Sequence, residues 1–169
     1  LENDKRDFAL PVIVIQNKNP KPNKILIWLN PKGKEQIFLN ENTSTFLDAG
    51  YTIISVDLPG IGELHDPEFK GDGFIKSVPF NLTFGAHLTG KTIPGIQAEA
   101  IDLLMQFVAQ KNTAQKNIHA LVEGVSNSAF LHYTTFQNPF SKIVFLNPTE
   151  AAADLIGNEY YNVEAAFNI

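Results

Sequence analysis

Three short stretches of this 169-residue chain carry side chains whose types and spacing could do chemistry. The first, GAHLTGKT from Gly85 to Thr92, spells GxxxxGK[ST]. In that pattern backbone N–H groups cradle phosphates, the Lys meets their charge and the Thr hydroxyl holds magnesium, which would make the chain a P-loop nucleotide hydrolase. The second, VEGVSNSAF from Val122 to Phe130, holds Gly124-Val125-Ser126-Asn127-Ser128, close to GxSxG. There a strand, a sharp turn and a helix lift a nucleophilic hydroxyl, Ser126, above the sheet edge, where the N–H of the next residue, Asn127, can bind an oxyanion. The third is Asn30-Pro31-Lys32-Gly33-Lys34, which follows an apolar run. In an enzyme of this type the second oxyanion N–H comes from such a loop; Pro31 has none to give, whereas Lys32 and Gly33 do.

Each stretch has a plainer competitor. A phosphate loop follows a buried strand and opens a helix at its Lys. Here Pro94 and Gly95 delay any helix, and the run VPFNLTF upstream is a weak strand broken by Asn81. The acid that would hold magnesium, Asp57, precedes the loop instead of following it, so a coincidental match in a Gly-rich loop competes with the nucleotide reading. In the second stretch Ser128 replaces the second Gly, and a Ser capping a helix after a strand writes the same letters. Asn-Pro-Lys-Gly is also an ordinary turn. Glu63, His65 and Asp66 offer three ligand atoms in one loop, yet no HExxH-type pair supports them, and a solvated loop accounts for them. His119 reads as a packed strand residue, and His132 and Tyr133 as helix decoration. No metal or cofactor site is expected.

The elements that must position these residues are marked by hydrophobic periodicity. Apolar, β-branched runs predict strands at Leu10–Gln16, Lys24–Leu29, Tyr51–Val56, Ile118–Val122 and Lys142–Leu146. Helical patterns fill the gaps: Thr43–Ala49, stopped by Gly50; Ile96–Gln110, with Ile101, Leu104, Met105 and Val108 on one face; and Asn127–Phe136. Alternating strands and helices predict an α/β protein with a mostly parallel sheet. From Leu58 to Lys91 the rhythm breaks in a segment rich in Pro and Gly, the length of a functional loop or lid.

Bulk composition narrows the partners. The chain is 44% hydrophobic and 18% charged, enough for one domain with one core. Its net charge is −5 and its 13 basic residues are scattered, so nucleic acid is not expected as a partner. No apolar run reaches membrane-spanning length, and no membrane partner is expected. The first residue is not Met, which fits a processed or trimmed chain, so the missing signal peptide does not establish cytoplasmic residence and a secreted or periplasmic location stays open. The absence of cysteine excludes disulfides and thiolate chemistry and leaves the redox compartment open. Asn42-Thr43-Ser44 and Asn81-Leu82-Thr83 match the N-glycosylation pattern.

Taken in order, KILIWLNPKGK, DAGYTIISVDLPGIGE, GKTIPGIQAEAIDLL, VEGVSNSAFLHY and FLNPTEAAADLIGNEYY resemble the N-terminal two-thirds of an α/β-hydrolase of the acetyl-xylan-esterase-like kind. The resemblance covers about Lys24 to Tyr161 and rests on order and spacing. It implies a three-layer α/β-hydrolase domain over 1–169 that lacks its last strands, and GKT at the entry of a helix. It also implies a hydrolase of carbohydrate or small-molecule carboxylic esters, with Ser126 as nucleophile and Asn127 with Lys32 or Gly33 as oxyanion donors. The triad acid and base should follow the nucleophile, in that order. The acids after Ser126 are Glu150, Asp154, Glu159 and Glu164, but the one later histidine, His132, lies too close along the elbow helix to serve as base. The chain alone is therefore expected to be inactive or nearly so, as a fragment or as a non-catalytic binding relative. Its sheet should present a raw edge open to self-association.

Overall fold

The strands form where the apolar runs predict them, because β-branched residues favour a pleated, buried surface. The computed structural model describes residues 1, 9–18, 24–65, 74–75, 78–111 and 117–148. Within them β1 (Val12–Ile15), β2 (Lys24–Leu29), β3 (Tyr51–Val56), β6 (Asn117–Glu123) and β7 (Lys142–Leu146) build one five-stranded sheet in the order β1-β3-β2-β6-β7. Strand β1 runs antiparallel to β3; β2 is parallel to both β3 and β6, and β6 to β7. β2 sits at the centre and is buried from Ile25 to Leu29, as a parallel strand covered on both faces must be.

One face is covered by α4 (Ile93–Lys111) and α5 (Ser126–Phe136), whose Ala100, Ile101, Leu104, Val108, Ala129 and Phe130 pack on Ile27, Ile54, Ala120 and Val122. The other is covered by α1 (Gln36–Leu39) and α2 (Asn42–Asp48), where Ile37, Phe46 and Leu47 pack with Leu26, Trp28, Ile53 and Leu121. The three-layer α/β expectation holds. Among the described residues no helix is long and apolar enough to cross a membrane.

The segment from Leu58 to Lys91 is more regular than its composition suggests. It contains a 3₁₀ turn at Gly62–Leu64, a two-residue antiparallel ribbon of β4 (Phe74–Ile75) with β5 (Val78–Pro79), and helix α3 (Phe80–Leu88). The run VPFNLTF is thus strand only at its first two residues and helix thereafter. The acids Glu150, Asp154, Glu159 and Glu164 lie outside the described residues, as does Asp66.

Candidate active site

The phosphate-loop pattern is not a loop in space. Gly85 lies inside α3, and the turn at Gly90 (φ 74°) leads directly to α4. Thr92 caps that helix, its Oγ1 accepting the Gly95 N–H at 3.1 Å, and Lys91 Nζ is paired with the Glu99 carboxylate at 3.0 Å. A phosphate would need free N–H groups converging on one point. Here the N–H groups of Thr89, Gly90 and Lys91 are already bonded to carbonyls of α3.

The other two stretches do meet. The parallel strands β2, β3 and β6 end on the same side, so the turns after Leu29, Val56 and Glu123 share one rim, where ligands of open α/β sheets bind. A Cβ on Gly124 would come within 3.3 Å of Pro31 Cγ, which places the turn after β6 against the loop after β2.

Within that rim the residues sit differently from the letter pattern. The sharp strand-to-helix turn falls at Gly124, whose φ is 55°; Val125 already has right-handed helical angles, and Ser126 opens α5. The apex, where a nucleophile elbow holds its strained residue, therefore carries no side chain. Ser126 lies two residues further on, is 1% exposed, and its Oγ has no hydrogen-bond partner. The three expected oxyanion donors are engaged inside the chain. Lys32 N–H donates to Asn30 Oδ1 at 2.9 Å, Gly33 N–H to the Asn30 carbonyl at 3.1 Å, and Asn127 N–H to the Gly124 carbonyl at 3.0 Å. The first two bonds make an Asn-initiated turn, which suits Asn30 before Pro31.

Behind the rim lies a charged cluster that motif reasoning missed. Asp57, the residue after β3, is 1% exposed and accepts the Lys34 N–H at 2.6 Å, Lys34 Nζ at 2.8 Å and the Glu63 N–H at 3.0 Å. Lys34 Nζ also donates to Glu63, at the solvent side. Burial alone would lower the Lys34 pKa, but its bonds to Asp57 and Glu63 and their charges outweigh that and hold it above 10.5. The cluster ties the loop after β2 to the loop after β3. Gly62 makes the approach feasible, since a Cβ there would overlap the Asp57 carboxylate. A signal was present in the sequence: YTIISVD ends an apolar strand on a carboxylate.

At the other wall Trp28 Nε1–H donates to Glu123 Oε1 at 2.6 Å, one residue before the apex. Asn127 Nδ2 reaches the Asn147 carbonyl at 3.3 Å, while its Oδ1 is buried without a partner. Asn147 has φ 49°, the one non-glycine residue with positive φ among those described. His132 stands on α5, six residues past Ser126, and the described residues contain no group of three or more metal-ligating side chains.

No protein-family model and no curated protein matches the chain. Solved structures do. A thermostable carboxyl esterase from Bacillus coagulans, determined with glycerol, aligns over 86% of this chain and 42% of its own, with 10% identity and TM-score 0.57. A protein from Bacteroides fragilis assigned as an acetyl xylan esterase aligns over 78% of this chain and 39% of its own, with 16% identity and TM-score 0.59. A cold-adapted esterase from an Arctic intertidal metagenome aligns over 86% of this chain and 57% of its own, with 15% identity and TM-score 0.52. The chain thus has the α/β-hydrolase fold, and its neighbours include esterases of the kind the sequence resembles. It spans about two-fifths of the first two structures.

Proposed function

We propose that this chain forms the floor of an α/β-hydrolase cleft that binds a carbohydrate or small-molecule carboxylic ester without cleaving it through Ser126. The observation that supports this reading is the glycine apex: the turn that should present a nucleophile is Gly124, and nothing attached to it can attack a carbonyl. The engaged N–H groups of Lys32, Gly33 and Asn127 agree with it, since an oxyanion hole needs donors that are free and preorganised.

The second reading keeps Ser126 as an esterase nucleophile, and one observation favours it: its Oγ has no partner to hold it back. One experiment separates the two. Hydrolysis of p-nitrophenyl acetate by the full chain should be the same, within error, for wild type and Ser126→Ala. A loss of ~100-fold or more, well inside the range for removing a catalytic serine, establishes the esterase and ends the non-hydrolytic reading. Binding is read in parallel from Trp28, the single tryptophan, whose indole is bonded beside the apex. An acetylated methyl glycoside should change its emission saturably; no response up to about 10 mM, weaker than any ordinary small-ligand affinity, would remove the ester ligand.

A further inference from the structure

The first turn of α5 contains two polar side chains that the fold leaves unsatisfied. Ser126 is 1% and Asn127 0% exposed, yet neither Ser126 Oγ nor Asn127 Oδ1 has a hydrogen-bond partner. Buried polar atoms are nearly always paired, and one that is not calls for a missing partner such as a water or a ligand. No side chain caps this helix either.

From this geometry we infer a subsite for a neutral hydroxyl group, of the kind a sugar or polyol carries, at the ends of β6 and β7, received by Asn127 with Ser126 as its neighbour. Three features select the ligand class. One N–H of Asn127 Nδ2 is held by the Asn147 carbonyl at 3.3 Å, which orients the amide so that Oδ1 faces the subsite as an acceptor that demands an O–H or N–H and repels an anion. The positive end of the α5 dipole disfavours an ammonium at the same place. A neutral hydroxyl satisfies both conditions, and Ser126 Oγ can donate to it or accept from it.

In the closed form Oδ1 and Oγ are sealed from solvent, so the hydroxyl enters as the turn opens. The turn that would open is short: Gly124 forms its positive-φ apex, Val125 faces solvent at 44% exposure, and Asn147, bonded to Asn127, holds a left-handed backbone of the sort found at ligand clamps. Leaving two polar groups unmet raises the closed form relative to an open form in which a ligand meets them, so a ligand shifts the population toward opening.

The inference deepens the cleft reading and rests on it, but its test reads neither ester cleavage nor Trp28 emission. The ¹H–¹⁵N spectrum of the full chain is titrated with methyl β-glucoside, and with acetate and ethylammonium as anionic and cationic counterparts. Saturable shifts of the Val125 to Asn127 amides and the Asn127 side-chain amide with the glucoside alone are expected. Asn127→Leu, which keeps the side-chain volume and removes both the Oδ1 acceptor and the Nδ2 bond to Asn147, should weaken them by about ten-fold or more, and Ser126→Ala by less. Glucoside shifts elsewhere, none at all, or equal shifts with acetate or ethylammonium overturn the subsite. If Asn127→Leu does not fold, Asn127→Asp keeps the test alive, because a carboxylate there should prefer ethylammonium over the glucoside. An ester response of Trp28 that persists without glucoside shifts refutes the subsite and leaves the cleft reading standing.

Discussion

Asp57→Ala should be among the most damaging single changes in the described residues, and more damaging than Lys34→Met on the other side of the same pair. Asp57 is the acceptor for three donors: two backbone N–H groups, from Lys34 and Glu63, and one ammonium, Lys34 Nζ. Truncating it leaves a nearly sealed ammonium with only Glu63 for company and orphans both N–H groups. Breaking a buried pair from one side costs about 3–5 kcal/mol, and Glu63, whose side chain is 60% exposed, moderates this toward about 4 kcal/mol. Lys34→Met leaves Asp57 charged but still holding both N–H groups, for a cost nearer about 2–3 kcal/mol. Urea unfolding of wild type and both variants, followed by far-UV circular dichroism, measures the difference. A small domain has about 5–15 kcal/mol in all, so both variants are expected to fold in water with midpoints well separated. The reasoning fails if Asp57→Ala costs under about 1 kcal/mol, or if Lys34→Met costs as much or more, since the backbone N–H groups would then carry no weight.

Gly62→Ala, at φ 58°, should cost about 3 kcal/mol or more, because its Cβ must displace Asp57. Gly60→Ala, at φ 84° with open space around it, should cost only about 1 kcal/mol of backbone strain, and equal midpoints for the two would refute the overlap. Lys91→Ala should change stability by under about 1 kcal/mol, because its pair with Glu99 is half exposed at both ends. Equilibrium dialysis with ATP and magnesium should find no affinity in wild type or variant; measurable affinity lost on substitution would restore the nucleotide reading. Burial first, then the charges of Lys142 and Lys24, hold His119 below 6.5, while its Nδ1 pairs with Tyr51 Oη at 2.7 Å. A depressed base stabilises the fold fully above its unfolded pKa and loses that contribution as pH falls below 6.5. Wild type should therefore lose stability between about pH 7 and 5 more steeply than His119→Gln, and parallel profiles would refute it. Lys34 acts in the opposite sense: its raised pKa keeps its contribution intact below 10.5 and removes it only above.

The sheet was legible because each strand carries its own local signal. KILIWL is buried on both faces from Ile25 to Leu29 and YTIISV from Ile53 to Val56, so apolar residues crowd these runs and their boundaries match to the residue. Gly50 was readable as a helix stop for the same local reason, and its φ of 86° bears that out. The ribbon of β4 and β5 was not legible: two residues per strand give no period to detect, and Pro79 argues against a strand. Helix α3 was hidden in FNLTFGAHL by Asn, Thr and Gly, which weaken helix propensity without preventing a helix that contacts within the fold can hold. The Lys34–Asp57 pair is separated by 23 residues and belongs to no motif, so only the folded loops bring it together.

The turn after β6 shows what a letter pattern leaves out. In GVSNS the middle serine is conspicuous because GxSxG is defined by letters, but the fold places residues by backbone angle. The tight turn demands one residue with positive φ, and of Gly124, Val125, Ser126, Asn127 and Ser128 only glycine adopts it without steric cost. The glycine therefore takes the apex, and the serine follows it into the first turn of α5, where its hydroxyl is buried. A true elbow forces a serine into the strained position and tolerates the cost because reactivity requires it. Gly124→Ser should reintroduce that strain, at about 1–2 kcal/mol, and place a hydroxyl at the rim. Gain of aryl-acetate hydrolysis by Gly124→Ser/Ser126→Ala above the Ser126→Ala background would show that the rest of the cleft still supports the chemistry. Strain without any gain would show that the donors engaged by Asn30 and Gly124 are as decisive as the missing side chain.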